Sequence, residues 1–179
     1  MKTLNAICHH LSMQCRYAGA VKRFYSVAEH TVHMVRQARA DGLDATTQLK
    51  MWLHDAPEHT LGDLVWEVKK KPAIAATFAP LELDEIKRIC NDLGLPLQIG
   101  VQSLQSGIVK QYDKAILAAE GQHVALPVFP GLREQFDRAD TLHVCFLKRL
   151  RRAAPYGDNM EHWQNAMMEE YEIIAELMV

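Results

Sequence analysis

Three places along the chain carry side chains that bind divalent cations. His30 lies on a helical apolar stripe made by Val27, Thr31, Met34, Val35 and Ala38. It is one turn after Val27 and one before Met34, while His33 and Arg36 fall off the stripe. An imidazole in that position is either satisfied by a core carbonyl or is a ligand. His54 and Asp55 are adjacent and follow the apolar run Met51-Trp52-Leu53. Helical neighbours diverge by about 100°, and two flexible side chains so placed can reach one ion. Glu58 is four after His54 and three after Asp55, so it shares their side. Asp113 has Val109 before it and Ile116 and Leu117 after it. A carboxylate there is costly unless a cation or several donors hold it; Lys110 and Lys114 offer a surface ion pair instead. Two imidazoles and two carboxylates suit a divalent first-row ion with positions open to water and substrate. Zn, Mn, Co and Mg are not separated by such a mixed set.

The elements that position these residues read as helices throughout, with no sustained apolar alternation. A first helix spans residues 5–17, with Leu4, Ile7, Leu11 and Cys15 on one side. Ser26 and Glu29 form a capping box for a helix to Ala40, stopped by Asp41-Gly42. Asp44 caps the next, which turns Leu49, Trp52, Leu53 and Ala56 inward and is disturbed at Pro57. One or two further turns cover residues 61–68 and close at Lys69-Lys70-Lys71-Pro72. Helices follow over 78–93 with Gly94 after it, over 103–119 capped by Ser103, over 136–152, and over 159–178 capped by Asp158. The expected fold is all-α, one domain over 1–179, built from six to eight helices.

Composition bounds the function. The 179 residues are 49% hydrophobic and 23% charged, as in a globular domain. Lys and Arg number 20 against 22 Asp and Glu, a net charge of -2, which argues against binding nucleic acid through a basic surface. The apolar stretch 73–81 is too short to span a bilayer, and the first ten residues lack a signal-peptide core. A soluble, cytoplasmic protein is expected. Four Cys without a CxxC pair read as reduced thiols, and nine His are many for this length.

In order and spacing, RFYSVAEH at 23–30, LHDAPEHTLGDL at 53–64 and VKQYDKAI at 109–116 resemble the HD-domain metal-dependent phosphohydrolases, whose pattern is H…HD…D on a helical core. The resemblance covers residues 4–120. It is nearest to the small single-domain branch: bacterial 5′-deoxynucleotidases and phage dATP triphosphohydrolases, the latter through the run 9–30. The resemblance implies His30, His54, Asp55 and Asp113 as ligands of one divalent ion, with His59 beside Glu58 leaving room for a second. It implies Glu58 as the acid that orients or deprotonates water and Asp63 as a catalytic support, although Asp63 also suits a helix cap. Arg16 and then Lys69 would meet substrate phosphates. Tyr17, Trp66 and Pro80 are candidates for the wall against base or sugar.

The expected activity is release of triphosphate from a dNTP, with dATP first, or alternatively release of phosphate from dNMPs. The competing class is a non-catalytic nucleotide-binding HD module. The expected partners are a small deoxynucleotide and copies of the same chain, as a dimer or hexamer, in the cytoplasm of a bacterium or of a phage-infected host. Trp163, Met167, Met168 and Tyr171 would offer apolar surface for assembly, or pack in the core. The run Lys148-Arg149-Leu150-Arg151-Arg152 reads as a solvated helix face or an oligomer contact.

Overall fold

Helices of nine or more residues arise where apolar residues recur every three or four positions, and the computed structural model holds seven of them among its described residues, 2–98, 107–125, 141–153 and 159–178. They are α1 (Lys2–Met13), α2 (Val27–Ala40), α3 (Ala45–Leu53), α6 (Pro72–Asp92), α7 (Gly107–His123), α8 (Thr141–Ala153) and α9 (Met160–Leu177). Two single turns, α4 (Glu58–Leu61) and α5 (Trp66–Lys69), lie between α3 and α6, and a 3-10 turn covers Arg16–Gly19. The described residues include no strand; two isolated bridges, Cys15 with Ser26 and Val21 with Ala125, pin the loop before α2. No described helix is long and apolar enough to cross a membrane. The all-α expectation of six to eight helices holds.

α2 is the axis of the fold. It packs against α1, α3, α7, α8 and α9. Val27, Ala28, Val32, Met34, Val35 and Ala38 fill its apolar sides, and one core cluster runs from them through Ile7, Leu49, Trp52, Ile116, Phe146 and Met167. The helix starts where the Ser26 side chain accepts from the Glu29 amide and ends where the Asp41 amide turns back to Gln37 and Arg39. The reciprocal half of the expected capping box does not form. Glu29 turns instead to Arg23, which donates to both its oxygens at 2.9 and 2.6 Å, because a charged fork outweighs one orphan amide.

Other expectations shift. Pro72 does not close a segment; it opens α6 near its first position, where a missing amide costs nothing, so the helix begins before residue 78. Asn159 caps α9 by accepting from His162; Asp158, Ser103 and residues 136–140 lie outside the described residues. Trp163 and Met167 are buried in the core, and Met168 and Tyr171 pack against it, so this face of α9 is used within the chain. His33, expected off the core side, is 4% exposed; α9 covers it, with the Trp163 ring 5.4 Å away.

Because α2 is buried on every side, truncation within it leaves a cavity that cannot collapse. Met34→Ala is expected to cost about 2–5 kcal/mol in urea unfolding. Leu81→Ala, at a position 48% exposed on α6, is expected to stay within about 0.5 kcal/mol of the parent. Equal costs at the two positions would contradict this packing.

Candidate metal centre

Three neighbouring segments meet at one end of α2. α2 supplies His30, the turn after α3 supplies His54 and Asp55, and α7 supplies Asp113 and Glu120. The 3-10 turn adds Arg16 and Tyr17, and the segment from α4 to α5 adds Glu58, Asp63 and Lys69.

The hydrogen bonds of the two imidazoles settle where their protons sit. His30 Nδ1 is 2.6 Å from the Glu120 carboxylate, and His54 Nδ1 is 2.6 Å from the Met51 carbonyl. Both partners only accept, so each Nδ1 carries hydrogen, and the atom that each ring can offer a cation is its Nε2. Those two Nε2 atoms face each other at 3.2 Å. Asp55 Oδ2 lies 3.1 Å from His54 Nε2 and 3.5 Å from His30 Nε2. Two Nε2 atoms and a carboxylate oxygen at these distances are held together by a positive charge among them, a proton or a metal ion. Ligands about 2.1 Å from a first-row ion sit about 3.0–3.4 Å apart, so the spacing fits. His30, His54 and Asp55 therefore form a group that can hold a metal ion, the one such group among the described residues. Asp113 Oδ1 is 3.6 Å from His30 Nε2, and its side chain is 38% exposed. It stands at the rim of the site, not among the core residues as its apolar neighbours suggested, because α7 turns it toward the cleft.

Burial alone would lift the Asp55 pKa, but the His54 ring, His30 and Arg16 outweigh it and hold the carboxyl well below its ordinary range. Arg16 Nη1 donates to Asp55 Oδ2 at 3.1 Å. Burial would lower the His54 pKa, and the Asp55 charge reverses this and raises it. Glu58 is 6% exposed. Burial, then the Asp55 and Asp63 charges, push its pKa well up, and its Oε2 has no hydrogen-bond partner. Asp63 is also raised by burial, against the pull of Arg16.

A cavity of about 150 Å³ opens over this group. Arg16, Tyr17, Asp55, Glu58, Asp63, Glu67, Lys69 and Asp113 supply its polar lining. Five carboxylates against two cations make a floor that favours a positive ion. Lys69 lines the cleft and donates to Glu82 at 2.5 Å, while Lys70 and Lys71 are exposed and outside the lining. Pro80 is exposed on α6 and is not brought to the cleft. Trp66 is the first residue of α5, next to the cleft residue Val65. His59, considered for a second ion, directs Nδ1 at the Ala56 carbonyl and Nε2 at Thr60, Glu85 and Arg88.

Tyr17 and Ala18 have φ of +59° and +50°, a left-handed conformation that costs L-residues about 1–2 kcal/mol each. Hydrogen bonds hold it. The Ala20 amide donates to the Tyr17 carbonyl at 2.9 Å, and the Tyr17 hydroxyl donates to Glu120. Asp63 follows Gly62, which takes φ +81°, and lines the cleft beside Tyr17.

Glu120 is absent from the sequence-based candidates. It is fully buried and also accepts from Tyr25 at 2.7 Å, with Arg16 Nε at 3.5 Å. Its signal was available: it lies seven residues after Asp113 and four after Ile116, a carboxylate on a buried stripe.

No family model matches this chain, and no curated protein matches it.

The Glu120 charge makes a testable contribution to stability. Burial alone would raise its pKa, but His30, Arg16 and the hydroxyl donors bring it down from 4.5 to about 2. The native state thus binds fewer protons than the unfolded chain between those values. The contribution is complete above pH 4.5 and is lost as pH falls towards 2. The stability difference between the parent and Glu120→Gln, from urea unfolding, should be flat above about pH 5 and shrink below it. A difference that grows on acidification would contradict the assignment.

Proposed function

We propose that the chain is a metal-dependent hydrolase of deoxynucleotide phosphates, with dATP the first substrate and deoxyadenosine and triphosphate the products. The observation that carries the reading is the convergence of two Nε2 atoms and the Asp55 oxygen under a cleft that also holds Glu58, Arg16 and Lys69. The resemblance of 23–30, 53–64 and 109–116 to HD-domain phosphohydrolases supports the same chemistry and directs it to deoxynucleotides.

His30, His54 and Asp55 would hold the ion, with Asp113 at the rim. A divalent ion bound there supplies charge stabilisation at a phosphoryl oxygen and acidifies nearby water. The remaining tasks belong to the chain. Glu58 offers an unpartnered carboxylate oxygen to orient water and take its proton, and its raised pKa makes it a stronger base than a surface carboxylate. Arg16 and Lys69 neutralise phosphate oxygens. Tyr17 walls the space beside Arg16, and Asp63, in the same lining, supports the catalytic carboxylate. Water adds at the α-phosphorus, the bond to O5′ breaks, and triphosphate and deoxynucleoside separate. A second reading, phosphate release from dNMPs, is favoured by the exposure of Lys70 and Lys71, which leaves two cations in the cleft for a shorter phosphate chain.

Two variants and a product assay test this. Purified protein is incubated with each dNTP and dNMP in Zn, Mn, Co or Mg, and triphosphate and phosphate are resolved. Triphosphate from dATP is expected, and phosphate from dNMPs with dNTPs untouched would select the second reading. Asp55→Ala should lose both metal retention and turnover with its helical signal kept. Glu58→Gln should lower kcat by about 10²–10⁴-fold with metal content unchanged. No product from any nucleotide with metal bound would sink the enzymatic reading in favour of a nucleotide-binding module.

A further inference from the structure

We propose that a phosphate-type oxyanion binds a second pocket, between α2, α8 and α9, through Arg36, Arg149 and Arg152. This cavity, of about 270 Å³, is lined by those three arginines together with His33, His162 and Trp163. It is separate from the cleft over His54 and shares none of its lining residues.

The first argument is charge. No carboxylate is among the described lining residues, and the nearby acids are already engaged, Glu170 and Glu169 with Arg36 itself. Glu170 accepts from Arg36 Nε at 2.6 Å and lies 2.7 Å from Arg39. Glu29 is held by Arg23, and Asp41 accepts from Gln37 and Tyr112. Arg149 gives its described hydrogen bonds to neutral oxygens, the Gln37 amide at 2.7 Å and the Arg36 carbonyl at 3.1 Å. Arg152 is exposed at the rim and forms no ion pair with a described carboxylate. Burial and the Arg36 charge depress the Arg149 pKa, Arg152 adding to the effect; these guanidiniums repel each other. Arg36 has Glu170 as its counter-charge, whereas Arg149 and Arg152 form no ion pair with a described carboxylate, and an oxyanion matched to their planar forks would balance their charge.

The second argument is an orphaned polar atom. His33 is 4% exposed, and its Nε2 is buried with no hydrogen-bond partner; the Glu29 carboxylate stands 3.5 Å away. His33 lines the same pocket as the three arginines, and its unpartnered ring nitrogen can donate to a phosphate oxygen. Trp163 is 1% exposed and packs edge-on against the rings of His33 and His162. It closes the floor, so the pocket takes the phosphate part of a ligand and offers no open face for a base. The basic run 148–152 is thereby divided: Leu150 enters the core, Arg149 and Arg152 line the pocket, and Lys148 and Arg151 face solvent.

The test follows the imidazole resonances of His33 and His162 by NMR during titration with inorganic phosphate, sodium triphosphate, dATP and deoxyadenosine. Triphosphate and dATP should shift both rings with similar affinity, phosphate more weakly, and deoxyadenosine not at all. Arg152→Gln, an exposed change that leaves the fold in place, should weaken triphosphate binding about tenfold, the loss of one charged contact. Lys69→Gln, which alters the cleft, should leave the shifts unchanged. Silence at millimolar triphosphate, unchanged affinity in Arg152→Gln, or loss of the shifts in Lys69→Gln would each overturn the proposal.

Discussion

A carboxylate wholly withdrawn from water persists only inside a shell of donors, and Glu120 has such a shell. His30, Tyr17 and Tyr25 donate to it, with the Arg16 guanidinium beside it. These donors come from α2 and from the loop that precedes it, whereas Glu120 belongs to α7. One buried charge thus fixes the helix that carries His30, the turn that carries Arg16, and the proton on His30 Nδ1. Removing the charge would free all of these at once. The cost of burying it is offset by interactions that are the site's own positioning contacts, which is how an outer partner of a ligating histidine acts.

The same logic runs along α2. A helix enclosed on every side would be safest if it were wholly apolar. This one buries Glu29, His30, Thr31, His33 and Gln37 as well. Glu29, His30 and Gln37 find partners on different neighbours: Arg23 in the preceding loop, Glu120 on α7 and Arg149 on α8. Each polar pair requires a particular neighbour at a particular height, so the polar contacts specify the arrangement that the apolar contacts stabilise. The strained turn at Tyr17 and Ala18 depends on this rigidity. Its left-handed backbone is held by the Ala20 amide on the Tyr17 carbonyl and by Glu120 on the Tyr17 hydroxyl.

Local signals in the sequence translated well. Ser26 and Asp44 cap the helices expected of them, Asp41 and Gly42 end α2, and the apolar stripes of α2 and α3 enter the core. The meeting of His30, His54 and Asp55 was legible too, because stripe position and adjacency are properties of single helices. What was not legible required a partner distant in sequence. Glu29 chooses Arg23 over the cap. His33 is buried because α9 covers it, and Asp113 is half open because α7 presents it at a rim. Glu120 was passed over although its place on the α7 stripe marks it. Pro80 failed because a wall residue needs a neighbour across a cleft, and α6 leaves that position in solvent.

Glu120 and the Met51 carbonyl hold both imidazoles with Nδ1 protonated, so that His30 Nε2 and His54 Nε2 can meet one cation. Nitrogen-15 NMR of the histidine rings, recorded before and after one equivalent of Zn(II), reads this directly. The account predicts Nδ1–H tautomers for both rings when Zn(II) is bound, with both Nε2 resonances moving together on its addition. Resonances of His30 and His54 that ignore Zn(II), or a ring whose Nδ1 takes the metal, would contradict it.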